Sequence, residues 1–321
     1  MRVLFTFRCF LFLSVLVLLP LTLGACTSTG GINSVPGIAD RFNDATASPY
    51  KITTVSASCN PGEQMVGGGW AINTPAYNGS VDVQYPLDQY FVSASYPSSS
   101  NTWTAVFVNR SRPFPGSDAL GFVHVECLST GATPTIVSAV GTLLTTVTAS
   151  CPSGSILTGG GYELTNLHTA NQVVAFTLSR PDASNEGSPS AWSVSANDVS
   201  HSQVDSSNQI MSFAVCTTQS LSATIGTSVK VSAPPGEPDL VTQGVAGAPC
   251  ASGQAPLSGG FVNYTGTDGN LAFSNFYASY ASSPLQWGAT LKSLPNADIE
   301  GHPKNGGGSA TIIPVCAPVS G

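Results

Sequence analysis

Cys151-Pro152-Ser153-Gly154-Ser155-Ile156-Leu157-Thr158-Gly159-Gly160-Gly161-Tyr162 is the stretch whose reading decides the fold, because the chain contains it three times. Eight residues after Cys59, Cys151 and Cys250 come Gly67-Gly68-Gly69-Trp70, Gly159-Gly160-Gly161-Tyr162 and Ser258-Gly259-Gly260-Phe261. Turn-forming residues follow each of these cysteines: Asn60-Pro61-Gly62, Pro152-Ser153-Gly154 and Ala251-Ser252-Gly253. Downstream each copy carries one tryptophan (Trp103, Trp192, Trp287) and closes on a cysteine (Cys127, Cys216, Cys316). The intervals between opening and closing cysteines are 68, 65 and 66 residues. Nearly all of the chain beyond its first few dozen residues is therefore three copies of one unit.

Within a unit the pattern has period two. Trp192-Ser193-Val194-Ser195-Ala196 alternates apolar and polar, and Trp103-Thr104-Ala105-Val106-Phe107-Val108 begins the same way. The segments 52–55, 143–147, 173–178 and 210–215 are rich in β-branched residues and bounded by turn formers, so each reads as a strand. No window offers a 3.6-residue period built from good helix formers. The expected class is all-β: three tandem, disulfide-closed antiparallel repeats of sandwich or barrel type, with a single three-fold β-prism as the alternative. Glycine inside a strand marks a bulge, a bend or a close approach. The glycine triplet is expected to leave room for an aromatic ring lying flat on it, and Trp70, Trp103, Trp192 and Trp287 are assigned to the cores.

The N-terminus supplies an address. Arg2 and Arg8 form a basic start, and residues 9–19 are apolar apart from Ser14 before Pro20 breaks the run. Such a run is too short for the ~20 helical residues that a bilayer core demands, so it reads as a signal-peptide segment. It ends in Leu23-Gly24-Ala25-Cys26, which resembles the lipobox of bacterial lipoproteins. The resemblance implies cleavage before Cys26, a thioether-linked diacylglycerol on its sulfur and acylation of its amino group, with the bilayer as partner. Two or more acyl chains hold a membrane stably where one does not. Thr27-Ser28-Thr29-Gly30-Gly31 then reads as a flexible linker. The expected division is 1–25 signal peptide, 26–45 tether, and β repeats at 46–130, 131–220 and 221–321, the whole mature chain lying outside the cytoplasm.

Composition narrows the function. Charged residues make up 8% of the 321, against about 25% in ordinary soluble domains. Net charge is −7, and loss of Arg2 and Arg8 with the signal makes it −9. An acidic chain without a basic cluster is a poor nucleic-acid binder, since that affinity comes from neutralised phosphates. Cys9 leaves with the signal and Cys26 is lipidated, leaving six cysteines in an oxidising compartment. Equivalent units should pair their cysteines equivalently: Cys59–Cys127, Cys151–Cys216 and Cys250–Cys316. The cysteine, glycine-triplet, tryptophan and cysteine unit resembles a repeat of secreted proteins from soil bacteria. It is also faintly similar to the vitelline membrane outer layer proteins, whose three-fold β-prism is the source of the alternative architecture.

Catalytic signatures are absent: no H-E-x-x-H, no C-x-x-C, no G-x-S-x-G elbow, no phosphate loop and no calcium loop. Neither an enzyme nor a cofactor or metal is expected. One departure from the repeat is the strand before Cys127, where Phe122, His124 and Glu126 share the face that carries Met211, Phe213 and Val215 in the second unit and Thr311, Ile313 and Val315 in the third. Aromatics outside the shared pattern, Tyr77, Tyr85, Tyr90, Tyr264 and Tyr277, lie in segments that vary between copies. A flat apolar ring among Asn, Ser and Thr suits a sugar, so these tyrosines are the candidate ligand-binding residues, with extracellular polysaccharide as the partner. The expected function is a lipid-anchored binding or adhesion module of the cell envelope. A structural envelope or spore-surface protein without a small ligand is the alternative, and a hydrolase with an unrecognised site comes third.

Overall fold

Antiparallel strands, most of them of eight to ten residues, place the opening and closing cysteines of each unit at one end of the molecule. The computed structural model describes residues 37–73, 90–109, 118–129, 133–165, 174–182, 188–198, 208–218, 221–233, 242–265, 271–279, 285–293 and 308–318. The first unit supplies β1 (Ile38–Ala47), β2 (Lys51–Ser58), β3 (Gln64–Asn73), β4 (Tyr90–Ser99), β5 (Thr102–Asn109) and β6 (Ala119–Leu128). The second supplies β7 (Thr135–Thr142), β8 (Val147–Ser150), β9 (Ile156–Thr165), β10 (Val174–Pro181), β11 (Ala191–Asp198) and β12 (Gln209–Thr217). The third supplies β13 (Thr224–Ile225), β14 (Val229–Ala233), β15 (Thr242–Pro249), β16 (Gln254–Thr265), β17 (Leu271–Ser279), β18 (Gln286–Ser293) and β19 (Gly308–Pro318).

The chain is all-β. Each unit builds two layers of antiparallel strands. In the first, β1-β6-β3 faces β2-β5-β4; in the second, β7-β12-β9 faces β8-β11-β10; in the third, β13 and β14 with β19-β16 face β15-β18-β17. The sheets do not stop at the unit boundaries. β4 pairs with β9 (Ala94–Glu163, Ser95–Tyr162), β10 with β16 (Ser179–Phe261), and β17 with β3 (Asn275–Ala71, Phe276–Trp70). The third seam returns to the first unit, so three sheets close into a ring. Each is half one unit and half the next. Buried side chains of all three units form one continuous cluster. The sandwich within each unit and the prism-like closure around all three are both present.

The glycine triplet has a separate reason at each position. At Gly68, Gly160 and Gly259 an added β-carbon would overlap the ring of Trp103, Trp192 or Trp287, the tryptophan of the same unit. Those three rings are the largest fully buried side chains, and each buries roughly 150–250 Å². At about 25 cal/mol per Å² that amounts to about 4–6 kcal/mol of apolar transfer per ring. Gly67 and Gly159 instead face the neighbouring units: a β-carbon on Gly67 would meet the Leu257 carbonyl, and one on Gly159 the Val66 carbonyl. The third copy places Ser258 there, and its hydroxyl donates to the Thr158 carbonyl at 2.7 Å. Gly161 and Gly260 lie against the backbone at Ser95 and Ser179, on the seams. The Trp103 and Trp192 indole N–H groups donate to those two serine hydroxyls, both at 2.9 Å. The three positions thus leave room for the tryptophan, for the glycine strands of the neighbouring units and for the seam.

Three disulfides join Cys59 to Cys127, Cys151 to Cys216 and Cys250 to Cys316, all at the end where each unit begins and finishes. Two sequence expectations are corrected. Residues 38–45, assigned to the tether, belong to β1, which pairs along its whole length with β6 (Ile38–Leu128 to Ala47–Ala119). Ile-Ala-Asp-Arg-Phe-Asn-Asp has no clean alternation, and only the ladder with β6 makes it a strand. Of residues 143–147, read as a strand, 143–146 form the turn between β7 and β8 and Val147 opens β8, with the Thr145 N–H donating to the Thr142 carbonyl and Leu144 at φ 70°.

Candidate functional site

Strand directions sort the connections. β3 and β5 end, and β4 and β6 begin, at the end opposite the disulfide Cys59–Cys127; the other two units repeat this. The seams pair β4, β10 and β17 antiparallel to β9, β16 and β3, so all three units point the same way. The connections spanning 74–89, 110–118, 166–173, 199–208, 266–270 and 294–307 therefore leave from one common end, called the loop end here. β1 enters at the disulfide end, at Ile38 opposite Leu128. A rigid scaffold that carries its variable connections on one end is a common arrangement for recognition.

The tyrosines expected to bind ligand do not all share that end. Tyr90 opens β4 and Tyr264 lies one residue from the end of β16, both at the loop end. Tyr277, opposite Gly288 in the β17–β18 pair, stands toward the disulfide end. Tyr77 and Tyr85, like the lipidation site Cys26, lie outside the described residues.

The seam between the first two units assembles a group that no sequence pattern pointed to. Tyr96 of β4 and Phe213 of β12 flank Gly161, and because glycine has no side chain the two rings stack across it, centroids 5.0 Å apart and planes at 24°. Glu163, two residues along β9, stands beside them opposite Ala94. Both Tyr96 and Glu163 remain partly exposed. Burial raises the Glu163 carboxyl above its ordinary range. It raises the Tyr96 phenol too, and the charge of Glu163 adds to that rise. An aromatic platform with an adjacent carboxyl offers a pyranose a C–H surface and a hydrogen-bond acceptor. Sequence separation hides the pair: Tyr96 and Glu163 belong to different units and meet only through the β4–β9 seam.

The matching positions at the other seams differ. Arg180 and Ile313 stand where Tyr96 and Phe213 do at the second, and Tyr277 and His124 at the third. His124 Nδ1 lies 3.3 Å from both carboxylate oxygens of Asp40 on β1, and its ring is 5.9 Å from that of Phe42. Glu126, on the same strand, is fully buried at the place where the other units have Val215 and Val315. Nearby, Arg41 forms a two-pronged ion pair with Glu63, one bond being Nε to Oε2 at 2.8 Å. Glu63 also accepts the Asn60 N–H at 2.8 Å, and the arginine holds its carboxyl below the ordinary range. Among the described residues the one group spaced for a metal ion is Cys59, Glu63 and Cys127. Its two sulfurs are bonded to each other, so it offers no thiolate ligands.

Comparison with known proteins adds no family: no protein-family model matches the chain, and no curated protein matches it.

Proposed function

We propose that the mature chain is a lipid-anchored binding or adhesion module of the cell envelope that displays its loop end to extracellular polysaccharide. The observation that carries this reading is polarity. The chain enters β1 at the disulfide end, and six connections, that spanning 74–89 among them, leave from the opposite end, while the nine-residue connection 182–190 lies at the disulfide end. With Cys26 acylated, residues 27–37 would span up to about 40 Å fully extended. The disulfide end would then face the bilayer, and the connections would face outward. Few charges, buried tryptophans and three disulfides suit a chain exposed to changing surroundings. The Tyr96, Phe213 and Glu163 group offers a sugar-sized contact on the side of the ring.

A polysaccharide array probed with the full chain tests the reading. Binding to one glycan class, weakened about tenfold (~1.4 kcal/mol) by Tyr96→Ala or by Tyr85→Ala with unchanged melting, is the expected result. A flat array removes the polysaccharide and leaves the structural envelope role. Intact-mass spectrometry of the membrane-extracted chain decides the anchor: an unmodified N-terminus ahead of Cys26 removes it.

A further inference from the structure

Each unit ends one of its layers on an equivalent edge: β1 beside β6, β7 beside β12, and β13 with β14 beside β19. An open edge presents unpaired N–H and C=O groups, and natural sheets protect it with charge, proline or interruption. β1 carries Asp40, Arg41 and Asp44. The third edge is broken into β13 and β14 and carries Lys230. β7 has none of these devices. Thr135-Ile136-Val137-Ser138-Ala139-Val140-Gly141-Thr142 is uncharged, free of proline and continuous, and it pairs with β12 from Thr135–Cys216 to Thr142–Gln209. Its opposite edge has no strand partner among the described residues. Val140 is 54% exposed, and Ser138 and Thr142 are exposed on the same face. The strand across the sandwich, β8, has 4 residues where its counterparts β2 and β15 have 8 each, so less of this edge is shielded.

We propose that the β7 edge pairs antiparallel with the β7 edge of a second copy of this chain, continuing the sheet across a two-fold axis. A self-complementary contact sets a strand against its own residues, so any charge would meet a like charge at or near its own position. β1 fails this requirement through Asp40 and Asp44; β7 meets it at every register. Every pairing within the sheet is already antiparallel. Centred on Ala139, the pairing sets Ser138 of one copy against Val140 of the other. Eight residues a side fall short of the ~800 Å² per partner of a standard stable interface. The contact is therefore weak between free molecules and strong where many copies share a surface. Antiparallel pairing also turns the second copy end over end, so the two disulfide ends point in opposite directions. Resting on the acylated Cys26 proposed above, one such pair bridges two membranes, which makes the adhesion homophilic. The pairing itself does not depend on the anchor.

The test uses the full chain in two settings: sedimentation equilibrium in detergent, and turbidity of phosphatidylcholine vesicles carrying it. One variant combines Ser138→Lys with Val140→Lys, and the other Ser138→Asp with Val140→Asp. All four substitutions sit at exposed positions, and each variant sets like charges opposite in a self-pair but opposite charges in a mixed pair. Wild type is expected to dimerise, each variant alone about tenfold more weakly (~1.4 kcal/mol), and the equimolar mixture like wild type. Vesicles bearing the lysine variant should cluster only with those bearing the aspartate variant. Wild type that stays monomeric at roughly millimolar concentration, variants that dimerise like wild type, or a mixture without rescue overturn the pairing. Dimers in detergent from a chain that does not load onto vesicles keep the pairing and remove the anchor.

Discussion

Adding one methyl group at Gly160 puts the packing of the second unit to a direct test. In a strand, glycine is normally less stable than alanine by roughly 0.5–1 kcal/mol, so Gly160→Ala should stabilise if the space were open. The space is taken. The new carbon would overlap Cγ and Cδ2 of Trp192 and stand 2.5 Å from the Phe213 carbonyl oxygen, where ordinary contact begins at 3.4 Å. Neighbours would have to retreat by roughly 1 Å, a large displacement in a close-packed interior. The carbonyl is fixed in the β9–β12 ladder, and the indole is held by its bond to Ser179. Overpacking of this kind costs about 1–3 kcal/mol, so a net loss of about 2 kcal/mol is expected. At about 2–4 °C per kcal/mol for a domain of this order, Tm should fall by about 4–8 °C in a calorimetric scan of the full chain. Trp192→Phe frees the space at a cost of its own, and the double variant should lose about 1–2 kcal/mol less than the sum of the two singles. A neutral or stabilising Gly160→Ala, or strict additivity with Trp192→Phe, would refute the reasoning.

Removing the third disulfide with Cys250→Ser and Cys316→Ser opens a loop of 66 residues. Chain entropy puts the loss near 4 kcal/mol, read as a lower urea midpoint, and a loss under about 1 kcal/mol would contradict it. The two shifted carboxyls predict opposite responses to pH. Arg41 lowers the Glu63 pKa through their hydrogen bond, so that pair adds stability above the unfolded carboxyl range, and the gain disappears as pH falls through the lower folded value. Arg41→Ala should therefore weaken the chain at neutral pH and leave it unchanged at low pH; an equal loss at both would rule out the ion pair as the cause. Burial raises Glu163, so its charging disfavours the fold as pH rises from the unfolded carboxyl value through the folded one. Glu163→Gln should stabilise at neutral pH but not in acid, and urea titrations at the two pH values would show the reverse if burial were not the cause. Leu144 is 72% exposed at φ 70°, a backbone region that penalises a bulky side chain by ~1–2 kcal/mol. Leu144→Gly should raise stability by up to about 1 kcal/mol after the entropy of glycine in the unfolded chain is counted, and a loss of that size would show that the leucine is held by a contact.

Much of the fold was legible in the residues themselves. The spacing of Cys151, Gly160, Trp192 and Cys216, repeated in two other copies, was enough to specify strands, a ring seated on glycine and a bridge across each unit. β1 was not legible because its residues lack alternation, and the turn at Leu144 was not because neither leucine is a turn former. In the candidate site, Tyr90 and Tyr264 reach the loop end, Tyr277 does not, and Tyr96 was passed over although it stacks on Phe213 beside Glu163.

What the sequence determined by itself is what depends on neighbours along the chain: period-two burial, turn chemistry, and the internal copying that pairs each opening cysteine with its own closing one. What only the tertiary structure decided is which strand edges meet. Backbone N–H and C=O groups are the same in every residue, so no side-chain pattern announces that β4 continues into β9, or that β17 returns to β3. Those seams turn three units into one ring, bring Tyr96 to Glu163, send six connections, that spanning 74–89 among them, to one end, and leave β7 with an open edge.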